Sequence, residues 1–151
     1  MLGGNERVTQ LDPTDFFDNI SLFVKEHVNE LGEVYIRRII SSLFLALFNF
    51  WGCKRKYVKK ELGTKTNQDY YSFGMFIREL LENGYDAEII SLYLYRTAAD
   101  HYIDNPTTIE IQDKWVSKKL STKKTKVSLN KDSLKRSIEA AMDILDFLKE
   151  R

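Results

Sequence analysis

Val34-Tyr35-Ile36-Arg37-Arg38-Ile39-Ile40-Ser41-Ser42-Leu43-Phe44-Leu45-Ala46-Leu47-Phe48-Asn49-Phe50-Trp51 is the stretch on which the fold turns. Val34, Tyr35, Ile39, Ile40, Leu43, Phe44, Leu47, Phe48 and Trp51 return every three or four positions, the spacing of one face of an α-helix. Leu45 and Phe50 widen that face beyond a single stripe, so the pattern predicts a helix over 33–51 that is central to a bundle or lies at an interface. Its most apolar part, Ile39 to Cys53, is about fifteen residues long and contains Ser41, Ser42 and Asn49, short of the roughly 20 that span a bilayer. A buried helix is therefore expected rather than a membrane segment, and Gly52 is expected to end it.

The flanking sequence repeats the same period. Asp12-Pro13 supplies an N-cap and a first-turn proline for a helix over 13–31, with Phe16, Phe17, Ile20, Phe23, Val24, Val28 and Leu31 on one side and Gly32 at its end. Asn67 is placed to cap a third helix over 68–83, whose Tyr70, Tyr71, Phe73, Phe76, Ile77, Leu80 and Leu81 form the buried stripe before Gly84, and a fourth runs from near Asp86 to about Ile103, where Asp104-Asn105-Pro106 stops it. From Thr107 to Leu129 the helical period is lost; Ile109/Ile111 and Val127/Leu129 alternate with polar residues, which permits a short β-hairpin or a flexible insertion at 107–130. Leu134, Ile138, Ala141, Met142, Leu145 and Leu148 mark a last helix from near Lys131. With residues 1–11 as a flexible N-terminus, residues 1–151 are expected to form one all-α domain. Its fold is an antiparallel helical bundle of about five helices around a four-helix up-and-down core.

Composition agrees with this reading. In 151 residues only seven are Gly and two Pro, which argues against low-complexity disorder and against a sandwich of many turns. The single cysteine, Cys53, allows neither a disulfide framework nor a thiolate zinc cluster, and Met1 to Thr14 lacks the order of a signal peptide. A reducing, cytoplasmic setting without membrane insertion is expected, with Cys53 packed as a small hydrophobe. His27 is expected as a core or interface histidine, and Trp51 and Trp115 as packing residues.

The net charge of +1 hides a segregation: residues 54–66 carry +5 and residues 107–131 carry +5, while residues 1–53 carry −3. The first island, Lys54, Arg55, Lys56, Lys59, Lys60 and Lys65 around Tyr57, is read as an irregular connection. The second holds Lys114, Lys118, Lys119, Lys123, Lys124, Lys126 and Lys131 around Trp115. Cations beside an aromatic suit a nucleic-acid backbone, with counterion release driving the association; equally, such loops can be plain solvated surface.

Nucleophile elbows, Gly-rich phosphate loops and zinc spacings are absent from the sequence. What carries chemistry is a cluster near the end of the fourth helix: Tyr95, Arg96, Asp100, His101 and Tyr102. Arg96 and Asp100 are four apart and share a helix face, so they can pair. Arg96 and His101 are five apart, about 140° around the axis, and converge only if the last turn unwinds or a second chain supplies the partner. The plainer alternative is an Arg–Asp pair that locks the helix end, with a histidine on the last carbonyls.

The Tyr35-to-Phe48 helix resembles the tyrosine- and alanine-rich helix of HEPN domains, which often ends in Ala-x-Phe. Tyr95-Arg96-Thr97-Ala98-Ala99-Asp100-His101-Tyr102 is similar to the Arg-x-x-Ala-Asp-Tyr signature of that family and fits the Arg-x(4–6)-His motif of its ribonuclease members. The resemblance covers about 13–103 and 131–151 and implies an all-α bundle, commonly a homodimer. It also implies metal-independent endoribonuclease activity, often as a toxin paired with a minimal nucleotidyltransferase antitoxin, and no cofactor. By position it implies that Arg96 holds the scissile phosphate and that His101 acts as general base or acid, with Tyr95, Asp100 and Tyr102 in support. An imidazole of ordinary pKa, about 6.5, suits that proton transfer near neutral pH.

Three functions stay open at this level. One is an RNA-binding and RNA-cleaving homodimer. The second is a non-catalytic module that binds a nucleotide or a nucleotidyltransferase partner through the same helix end. The third is a structural dimer whose basic loops touch nucleic acid nonspecifically. The insertion at 107–130 reads as a substrate flap or a partner-docking arm.

Overall fold

The computed structural model describes the backbone of residues 12–61, 73–101, 108–111 and 125–150, and the side chains of residues 12–55, 73–100 and 126–150. Among the described residues, five helices and one hairpin follow in order: α1 (Pro13–His27), α2 (Glu33–Glu61), α3 (Phe73–Glu82), α4 (Asp86–His101), β1 (Thr108–Ile111), β2 (Thr125–Ser128) and α5 (Lys131–Lys149). The chain is an all-α bundle, as its periodicity predicts, with α2, α4 and α5 packed mutually at its centre.

Local chemistry sets the element ends. Asp12 Oδ1 accepts from Thr14 N at 2.8 Å and Pro13 opens α1. Asn130 and Ser133 form a reciprocal capping box on α5, with Ser133 N donating to Asn130 Oδ1 at 3.0 Å and Asn130 N to Ser133 Oγ at 3.3 Å. Between α3 and α4, Tyr85 N donates to Leu80 O at 2.9 Å and Gly84 N to Leu81 O at 3.3 Å, a Schellman ending that requires Gly84 at φ +85°. In the hairpin, Ile109 is opposite Val127 and Ile111 opposite Thr125 in antiparallel register. The alternation read from the sequence is thus a hairpin at its two ends; residues 112–124 lie outside the described residues.

Two apolar clusters fill the interior. The larger gathers Phe17, Leu43, Phe44, Leu47, Trp51, Phe76, Leu80, Ile89, Leu92 and the inner face of α5. The second brings Val24, Ile36, Ile40, Leu94, Ala98, Ala99 and Leu134 together with Val127 and Leu129, so the hairpin covers the C-terminal end of α4. Ile20, Ile39, Tyr93 and Ile138 touch both clusters and make them continuous.

Some expectations change. The second helix does not stop at Gly52 but continues to Glu61, so the first basic island begins on a helix and not in an irregular connection. A mid-helix glycine costs about 1 kcal/mol relative to alanine. The adjoining contacts offset it: Trp51 is buried and donates its indole N–H to Glu79, and Lys54 and Arg55 are anchored on neighbouring helices. Because the helix continues, Cys53 falls one turn after the exposed Asn49 and is itself exposed, not packed. Of the two places expected for His27, the core does not hold it: its side chain is 42% exposed, lies 3.4 Å from Glu30 and rests against the Phe23 ring. Trp51 is a packing residue as expected, whereas Trp115 lies outside the described residues.

Among the described residues, Glu33–Arg55 is long and apolar enough to cross a membrane by length and composition. In the bundle its Ile40, Leu43, Phe44 and Leu47 are fully buried against the other helices. Its first turn is not: Val34 and Tyr35 are exposed, as are Leu45 further along and Leu22 and Phe23 on α1.

Gly84→Ala is expected to lower the unfolding free energy by about 1–2 kcal/mol, because a Cβ at positive φ is strained even where nothing crowds it. Gly32→Ser, in open space at the start of α2, is expected to leave stability unchanged or slightly raised. Urea titrations of both variants check the contrast.

Candidate functional site

The last turn of α4 is built from two directions. Its final four carbonyls have no intrahelical partner, and two of them are met from α2: Arg37 Nη1 donates to Ala98 O at 2.9 Å and to Ala99 O at 3.1 Å. Arg37 is itself buried, and Glu33 Oε1 accepts from its Nε and Nη2 at 3.0 and 2.9 Å. One turn along α2, Ser41 Oγ donates to Asp100 Oδ2 at 3.2 Å. That same carboxylate oxygen is 2.8 Å from Arg96 Nε.

Arg96 and Asp100 therefore pair as their spacing predicts. The Nε–H is not aimed along the contact, so the pair is ionic and not a well-aligned hydrogen bond. The Arg96 guanidinium lies over two rings, 5.0 Å from the Phe73 centroid and 5.5 Å from that of Phe44, and its side chain is only 16% exposed. A guanidinium stacked in this way is held by both the ring quadrupoles and the carboxylate.

The exposed part of Arg96 opens into a groove of about 480 Å³ between α3 and α4. Phe73, Met75, Ile77, Leu81 and Tyr93 give it apolar and aromatic walls, and Arg78 on α3 lines it as a second cation. Arg78 is exposed. Sequence reading missed both Arg78 and the groove, because the third helix was read only for its buried stripe; an arginine one position after the buried Ile77 was the available signal. It also missed Arg37, whose carbonyl partners lie 61 and 62 residues away.

The remaining expected residues are distributed as follows. Tyr95 is half-buried against the second apolar cluster. His101 is the last residue of α4, but its side chain lies outside the described residues, as does Tyr102. Lys54 donates to Leu148 O and Lys149 O at 3.0 and 3.1 Å, closing the C-terminal end of α5. Arg55 pairs with Glu79, its Nε donating at 3.0 Å. Both charges are thus already spent inside the bundle. Lys56, Lys59 and Lys60 fall on the last turns of α2 with side chains outside the described residues, and Lys118, Lys119, Lys123 and Lys124 lie wholly outside them. Among the described residues no three His, Cys, Asp or Glu side chains converge as metal ligands do.

Compared with known protein families, with curated proteins and with solved structures, the chain matches none.

A double-mutant cycle on Arg96→Ala and Asp100→Ala is expected to give a coupling of about 1 kcal/mol, since the pair is mostly shielded from water but not sealed from it. Additive losses in urea unfolding would show that the ring contacts alone hold Arg96.

Proposed function

We propose that this chain is a HEPN-like RNA-binding protein that receives a single strand in the groove between α3 and α4, and that it cleaves RNA without a metal ion, as a toxin held by a nucleotidyltransferase antitoxin. The observation that carries the binding reading is that Arg78 and Arg96 line one groove together with the rings of Phe73 and Tyr93. Single-stranded RNA is held by this combination, with cations on the phosphates and aromatic faces under the bases. The cleavage reading rests on the Arg96-x4-His101 signature, with the two groups drawn from the two chains of a dimer, because α4 stays helical through His101 and five residues turn the pair about 140° apart within one chain. In it Arg96 would stabilise the charge that develops on the phosphate oxygens. His101 takes the proton from a ribose 2′-hydroxyl, whose oxygen attacks the adjacent phosphorus, and the imidazolium returns that proton to the departing 5′-oxygen, leaving a 2′,3′-cyclic phosphate and a free 5′-hydroxyl.

A second reading is supported by the Ser41–Asp100–Arg96 chain, which spends part of the Arg96 charge on holding the end of α4. In that case the same groove takes a nucleotide or a nucleotidyltransferase partner without turnover.

The protein is proposed to act as a homodimer. Leu22, Phe23, Val34, Tyr35 and Leu45, all exposed, lie on α1 and α2, and a shallow apolar cleft of about 290 Å³ runs between Phe16, Ile20, Phe23 and Ile39. Two copies packed through this face would bury these side chains against one another in a self-complementary contact. Sedimentation is expected to find a dimer that Tyr35→Glu/Leu45→Glu converts to a monomer; an unmodified monomer would remove this part of the proposal.

RNA binding is expected to fall about tenfold or more with Arg78→Ala, and the slope of log affinity against log salt to lose roughly one unit. Cleavage in EDTA is expected for the unmodified protein and not for His101→Ala. Equal cleavage by both would end the catalytic assignment, and binding with no cleavage by either would favour the second reading.

A further inference from the structure

Among the described residues Arg37 is the most deeply buried charged side chain. A guanidinium that is 9% exposed is costly unless its donors are met, and here four hydrogen bonds meet them. Two go to a carboxylate on its own helix and two to carbonyls of another helix, at the end where the helix dipole is negative. Glu33 orients the fork, and the fork holds Ala98 and Ala99, the residues immediately before Asp100 and His101. Ser41, one turn further along α2, takes Asp100 itself. The two ties come from one face of α2 and converge on one turn of α4.

We infer that Arg37, oriented by Glu33, is a positioning residue: it keeps the last turn of α4 wound and so fixes the direction in which His101 is offered to the Arg96 of a second copy. This inference rests on the proposed role of His101, but its physical content is separate from that role. A hydrophobic residue at position 37 would also pack against α4, yet it would leave the carbonyls of Ala98 and Ala99 unmet in a buried place, and the turn would relieve that by opening to water. Lysine keeps a donor for the carbonyls while losing the fork to Glu33, so it should recover part of the effect. Glutamine removes the charge and cannot span both partners.

The chain has only two histidines, His27 and His101, so ring resonances of the full-length protein report on each separately. In Arg37→Gln the His101 ring signals are expected to move to the values of an unstructured peptide, and amide exchange at 99–101 to accelerate at least tenfold. The His27 signals and the exchange of core amides on α5 should stay in place. Arg37→Lys should return most of the change, and Glu33→Gln, which leaves every carbonyl contact possible, should show a smaller shift in the same direction and serves if Arg37→Gln does not fold. In RNA cleavage, Arg37→Gln should lower kcat at least tenfold with KM within twofold. His101 signals and 99–101 exchange in Arg37→Gln that match the unmodified protein would overturn the inference. If the unmodified protein cleaves no RNA, the catalytic reading fails, while the resonance and exchange results still decide the role of Arg37.

Discussion

Two helices that are far apart in sequence are joined at one point by charge: the Arg37 guanidinium on α2 lies on the free carbonyls that end α4. A helix that ends inside a protein leaves acceptors that water cannot reach, and each must be met or the turn opens. Here the donor is a buried cation whose charge is balanced on its own helix by Glu33. Arg96, Asp100 and Ser41 sit within a turn or two of that junction. Arg96 is aimed by Asp100, Asp100 is held by Ser41, and the hairpin residues Val127 and Leu129 cover the same end from outside.

The groove follows from this junction and from the aromatic packing around it. Phe44, on the core face of α2, is stacked edge-on with both Phe73 and Phe76 of α3. That packing brings Phe73 under Arg96 and places α3 alongside α4, so that Arg78 and Arg96 share one concavity. At the other end of α3, Glu79 receives Trp51 and Arg55 and ties the helix to the extended part of α2. The element that forms one wall of the groove is therefore anchored along its length.

Much of this was legible in the sequence. Apolar spacing set by the 3.6-residue turn marked α1, α2, α4 and α5, Gly84 marked the turn before α4, and the Ile109/Ile111 and Val127/Leu129 alternation marked the hairpin ends. The pair Arg96–Asp100 was legible because four residues make one helical step. What spacing could not show was the course of α2 past Gly52, because the contacts that sustain it there come from Glu79 and from the carbonyls of Leu148 and Lys149, remote in sequence. For the same reason Lys54 and Arg55 could be read as nucleic-acid contacts or as solvated charge, and neither Arg37 nor Arg78 stood out from the helices that carry them. Local period predicts which face of a helix is buried; it does not say which polar group will reach across to another helix.

The central claim is that nucleic acid enters the α3–α4 groove and does not merely coat the lysine-rich segments. Titrating the labelled protein with a short single-stranded oligoribonucleotide, and following backbone amides together with the arginine Nε–Hε signals, tests it directly. Shifts are expected to concentrate at 73–81 and 93–100, with Arg78 and Arg96 among the largest. Shifts confined to 54–66 and 107–131, with the arginine signals of the groove unmoved, would contradict it.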